Sequence, residues 1–260
     1  MQQAPNPNGS SSSSLNTGLP LVISATLIGV LFALVAAQRP WLPPLTVALA
    51  CIATGIDRWF VISRSGEKAA KRWELIDEPR AYELAAQHGV TLRGTLSVPL
   101  PGAFWIHTSS RSGNPEGYIA LGDLVKGEHL DAVITHELGH AHHNHLVKRS
   151  KATVIAVAAG FIPAFAAPLG VVPTALISLA TLFAASVLFC AMCRRQELQA
   201  DRFAALAGPN PASNEAVLAL LESLAQFSPP AGLWELHPPL AARRVALKRL
   251  SRQRAMLAQA

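Results

Sequence analysis

The chain has 260 residues, of which half are apolar and 15% are charged, and its formal net charge is +6. That composition fits one good-sized domain, or a smaller domain joined to membrane helices. It argues against a nucleic-acid binder, because aromatics are only 6% of the chain and no nucleic-acid-binding motif is present.

Residues 1–18 are rich in Ser, Asn and Pro and carry no charged side chain; they predict a disordered tail. Residues 19–37 are uncharged and apolar, close to the roughly 20 residues that cross a bilayer. A signal peptide would want a basic start and a shorter apolar core, so this run predicts an uncleaved anchor. A second run, from Trp41 to Ile56, holds Pro43 and Pro44 and spans only by recruiting Trp59 to Ile62. Two transmembrane helices are therefore expected within 19–62.

Residues 63–151 read as the first part of a domain outside the membrane. From Gly66 to Gln87, charged and apolar residues alternate at helical spacing, broken by Pro79 and closed by Gly89, which predicts two short helices. Residues 95–107 read as extended chain whose prolines mark an edge strand, and Gly117 to Leu121 gives a second short strand. A free strand edge can bind an extended peptide by adding it to the sheet.

The sequence Thr135-His136-Glu137-Leu138-Gly139-His140 contains H-E-x-x-H. On a helix over 129–149, the i, i+4 spacing puts His136 and His140 one turn apart on one face, where both can reach one metal ion. Leu130, Val133, Ile134, Leu138 and Ala141 supply the apolar stripe that docks such a helix. Glu137 is placed to take a proton from a water activated by the metal. His143 follows three residues after His140 and is a candidate third ligand. An extended His-x-x-Gly-x-x-His continuation would need Gly at 143 and His at 146, where the chain has His143 and Leu146. For His142, His143 and His145 the favoured reading is a half-solvated helix end.

Residues 152–169 and the uncharged 171–193 read as a transmembrane hairpin turning at Gly170. Cys51, Cys190 and Cys193 lie inside or at the edge of apolar runs, as small hydrophobes. Arg58, Arg64, Lys68, Lys71 and Arg72, then Lys148, Arg149 and Lys151, then Arg194 and Arg195, all fall on one side of the expected spans. The excess of cations makes that side cytoplasmic. The hairpin returns the chain to the H-E-x-x-H side at Arg194, so Glu197 is the next candidate ligand. Asp201, one turn on, is placed to orient a ligand histidine.

Residues 194–260 form the second part of the domain. They include an amphipathic helix over 213–226, capped by Ser213 or Asn214, then Leu236-His237-Pro238-Pro239. A basic helix follows, with Arg243, Arg244, Lys248, Arg249, Arg252 and Arg254, and its charge suits an anionic lipid surface.

Taken together, these pieces resemble the HtpX-like integral membrane zinc metallopeptidases, gluzincins related to the CAAX prenyl proteases. The resemblance rests on Ala132 to His140, on Glu197-Leu198-Gln199-Ala200-Asp201, on His237-Pro238-Pro239 with Arg243 behind it, and on Gly102-Ala103-Phe104 followed by Gly117 to Leu121. The family usually has Asn where this chain has Gly102. The resemblance implies a mainly α fold, with multi-pass membrane helices and a cytoplasmic gluzincin-type protease domain carrying a small β-sheet. It implies one zinc ion per chain on His136, His140 and Glu197, with Glu137 as general base and later proton donor. Asp201 would stand behind the ligands, His237 would donate to the oxyanion with Arg243 bracing its loop, and Gly102, Ala103 and Phe104 would form the substrate strand. The partners would be an extended polypeptide and the lipid bilayer. The expected function is hydrolysis of membrane or membrane-proximal proteins at the cell membrane, in protein quality control. The alternative is a catalytically silent membrane sensor or scaffold with a structural zinc site.

Overall fold

The computed structural model describes residues 51–57, 65–100, 102–108, 114–123, 125, 127–160, 170–207, 219 and 236–257. The expected N-terminal tail, the first apolar run, most of the second, residues 161–169 of the third and all but Ala219 of the expected 213–226 helix lie outside these residues. The chain divides into two units, Met1–Thr54 with Ala152–Ser186, and Gly55–Lys151 with Val187–Ala260.

The second unit is built on a four-stranded sheet of β1 (Glu74–Ile76), β2 (Thr91–Val98), β3 (Ala103–Thr108) and β4 (Glu116–Gly122), in the order β1-β2-β4-β3. β2 and β4 run parallel; the outer pairs are antiparallel. The extended stretch expected over 95–107 is two strands, because Pro99 and Pro101 cannot donate to a ladder. β1 has only three residues, too few to show a period of two, and the Thr95 hydroxyl holds it by donating to the Ile76 carbonyl at 2.6 Å.

Both faces of the sheet are covered, so β4 is buried almost throughout. On one face α1 (Pro79–Gln87) and α2 (Leu130–His142) close a core of Leu84, Ile119, Ile134 and Leu138. On the other, the helical residues 65–72 bring Ala69 against Leu96, Val98, Ile106 and Ala120. Arg80 of α1 reaches Asp131 in the first turn of α2, with Nε and Nη2 donating at 3.0–3.1 Å.

The single helix expected over 129–149 is two. α2 stops where His143 donates its amide to the Gly139 carbonyl and Asn144 takes the left-handed conformation at φ 52, which Asn tolerates better than most residues. The chain then restarts as α3 (His145–Gly160). α4 (Val171–Ala207) is continuous, so the apolar run and the Glu197 segment share one helix. Its N-terminal portion leaves Val172, Leu176, Leu179, Phe183 and Leu188 exposed. Among the described residues, no helix is long and apolar enough to cross a membrane. The last helix, α5 (Leu240–Leu257), buries Leu247 against Ala132, Ala204 and Ala205.

Candidate metal centre

The site forms where α2 and α4 touch. At Gly139 a Cβ would stand 3.1 Å from the Ala200 Cα and 3.1 Å from the Phe203 Cβ, so any larger residue would press the two helices apart. The contact sets Glu197 and Asp201, one turn apart on α4, opposite His136 and His140, one turn apart on α2.

The Nε2 atoms of His136 and His140 are 3.2 Å apart. Glu197 completes a triangle, with Oε2 3.6 Å from His136 Nε2 and Oε1 3.6 Å from His140 Nε2. A tetrahedral zinc ion with bonds of about 2.0–2.2 Å separates its ligand atoms by about 3.3–3.6 Å. The triangle is therefore the size of three ligands around one ion, and these residues could hold a metal. Two imidazoles and a carboxylate suit zinc with a fourth position open.

Each ligand has a partner behind it. His136 Nδ1 lies 3.1 Å from Asp201 Oδ1, and Arg243 from the first turn of α5 grips both oxygens of Asp201. Burial disfavours the charged form of His136, but hydrogen bonds to Asp201 and Glu197 outweigh it and raise its pKa to about 10. A metal ion held by His136 would offer those carboxylates a positive charge in place of that proton. Burial would likewise push Glu197 up, yet the hydrogen bonds from His136, His140 and His237 hold it well below the ordinary value.

Arg149 of α3 donates from Nη2 to Glu197 Oε1 at 2.9 Å and from Nε to Gln196 at 2.7 Å. His145, the first residue of α3, is 1% exposed. Its Nδ1 lies 2.8 Å from His140 Nδ1, and its Nε2 lies 3.2 Å from Gln199 Oε1. Burial, then the adjacent His140, lowers its pKa to about 3. The expectation of a half-solvated histidine is corrected here: the turn at Asn144 folds His145 back beneath the ligand it follows. His143 and His142 stay outside the triangle, and pack on His145 and Phe203 respectively.

Glu137 sits beside the triangle, 7% exposed, and accepts the amide hydrogen of Trp105 at 2.7 Å. Burial raises its pKa, against the pull of His140 and His136. The amide that meets it comes from the third residue of β3. Of the residues expected to line the substrate strand, Ala103 and Phe104 open β3 and Gly102 precedes it; the Phe104 ring meets Trp73 edge-on at 5.7 Å. His237, immediately before Pro238 and Pro239, brings Nδ1 to 3.3 Å from Glu197 Oε2.

Sequence spacing did not point to Arg149, His145, Gln199 or the Trp105 amide. The only signal for His145 was Asn144, a residue suited to ending a helix.

A buried carboxylate beside a His-His-Glu triangle that could hold a metal, with a strand edge alongside, is the arrangement that metal-assisted hydrolysis requires. Residues 115–251 match Peptidase family M48; the chain belongs to this family of zinc metalloproteases. No curated protein matches it. Among solved structures, the chain is similar to the crystal structure of Ste24p from S. mikatae, at 17% identity and a TM-score of 0.49, over 89% of this chain. It spans 63% of the length of that protein.

Proposed function

We propose that this chain is a membrane zinc metalloendopeptidase that cuts polypeptides held in extended conformation, with one zinc ion on His136, His140 and Glu197. The observation that carries the reading is the donor triangle with Glu137 beside it. Zinc, when bound, acts as a Lewis acid and lowers the pKa of a coordinated water to about 7. Glu137 takes a proton at its carboxylate and returns it to the leaving amine, a role helped by a pKa held above the usual range. The Trp105 amide orients that carboxylate. A substrate strand added at the edge of β3, along Gly102, Ala103 and Phe104, would lie next to Glu137. His237, half exposed beside Glu197, is positioned to donate to a developing oxyanion.

The membrane reading is supported by the uncharged runs at 19–37 and 171–193, by the one-sided clusters of Lys and Arg, and by the exposed apolar row on α4. It places the site on the cytoplasmic side and gives the enzyme damaged membrane proteins as substrates. His237 also favours the alternative, a silent sensor or scaffold: a fourth protein ligand would close the position that water needs.

Two measurements test the proposal. Treating the detergent-solubilised protein with a chelator should abolish cleavage of unfolded casein, and zinc should restore it. The protein should stay with the membrane after alkaline carbonate extraction. Cleavage that survives chelation, or release by carbonate, would contradict the respective half.

A further inference from the structure

The two histidines of the triangle are backed by unlike partners. His136 turns its Nδ1 to a carboxylate, whereas His140 turns its Nδ1 to another imidazole, that of His145, at 2.8 Å. Two ring nitrogens at that distance share one proton, so one must donate and the other accept.

Which one donates follows from the rest of the chain of contacts. His140 faces the other donor atoms of the triangle with Nε2. A neutral imidazole that offers Nε2 to a metal carries its proton on Nδ1, so His140 Nδ1 is the donor and His145 Nδ1 the acceptor. His145 must then carry its own proton on Nε2, and an acceptor stands there: Gln199 Oε1 at 3.2 Å. Every donor meets an acceptor in this direction. In the reverse direction His140 would need its proton on Nε2, against the metal, and Gln199 would have to turn its amide nitrogen to His145.

We infer that His145 and Gln199 form a two-bond relay that fixes His140 in the tautomer whose Nε2 is free for the metal, making His145 a positioning residue. The inference rests on the metal site proposed above. The relay draws one residue from each side of the centre, since His145 opens α3 and Gln199 lies on α4 between Glu197 and Asp201. It therefore couples the orientation of His140 to the same helix that supplies the third ligand. The break at Asn144 is what permits it. On an uninterrupted helix His145 would point about 140° away from His140, at 100° per residue over five residues.

The test measures zinc affinity of the full chain in detergent, by competition with a chelator, for the wild type, His145→Phe and His145→Asn. Phenylalanine fills the space without an acceptor. Asparagine keeps an acceptor oxygen on Cγ, where the imidazole has Nδ1. The relay predicts that His145→Phe weakens zinc binding by roughly 10- to 100-fold and that His145→Asn recovers most of it. Equal losses in the two variants would mean that His145 only fills space, and no loss in His145→Phe would mean that it does nothing for the site; either overturns the relay. A wild type that binds no zinc would remove the metal site itself, and the relay with it. Two-bond ¹⁵N–¹H couplings of the histidine rings in the zinc-loaded wild type give a check that needs no substitution. They should show His140 protonated on Nδ1 and His145 on Nε2; a proton on His145 Nδ1 would overturn the assignment.

Discussion

Arg243 grips Asp201 with two nitrogens, Nε on Oδ2 at 2.7 Å and Nη2 on Oδ1 at 2.5 Å, and Asp201 in turn faces His136 Nδ1 at 3.1 Å. Asp201 is 1% exposed, so its charge depends on these two partners. Arg243→Met would leave a buried carboxylate half paired, at a cost of about 3–5 kcal/mol. It would also loosen His136, lowering zinc affinity by roughly 10- to 100-fold. Thermal unfolding and chelator competition on the same sample should show both losses; Arg243→Lys, which cannot reproduce the fork, should recover only part of either.

Gly139→Ala tests the close approach of α2 and α4. The added methyl meets the Ala200 backbone at 3.1 Å, and overpacking of this kind costs about 1–3 kcal/mol. Because the displaced residues flank Glu197 and Asp201, zinc affinity should fall with stability. Gly102→Ala has nothing within 4 Å of the new Cβ and should leave both unchanged.

Several features of this site were legible in the sequence, because their positions follow from helical periodicity. His136 and His140, and Glu197 and Asp201, are each i, i+4 pairs, and the hairpin expected between them gave the reason to look for the second pair beside the first. What was not legible depends on how the chain packs. His145 lies five residues beyond His140, a spacing that puts it on another face until Asn144 breaks the helix. Arg149 looked like one cation in a flanking cluster, and nothing local says that it reaches Glu197. The β1 strand is too short to carry a pattern, and its pairing is specified by β2.

The buried His107 should contribute a loss of stability as the medium is acidified below the ordinary histidine value of 6.5. Burial lowers the pKa of His107, with Glu116 opposing, so the unfolded chain binds more protons than the fold between the two values. The part of the stability that rests on neutral His107 is full above 6.5 and is lost as pH drops below it. Denaturant unfolding at pH 8 and pH 5 should show the wild type losing stability relative to His107→Gln, which cannot titrate, as pH falls.

His237 separates the two readings of the centre. If it donates to the oxyanion, His237→Ala should keep its zinc and lose roughly 10²–10³-fold in kcat. If it closes the metal site as a fourth ligand, the same substitution should weaken zinc binding as His136→Ala does. Metal analysis after gel filtration, together with casein cleavage, distinguishes them.

In the proposed function Glu137 works as the base of a zinc peptidase. Its most direct test is zinc content and casein cleavage measured side by side for the wild type and for Glu137→Gln, in detergent. About one zinc per chain is expected in both, with cleavage in the variant reduced by about 10²–10⁴-fold. Zinc in both with no cleavage by the wild type, or a Glu137→Gln variant that cleaves like the wild type, would contradict it.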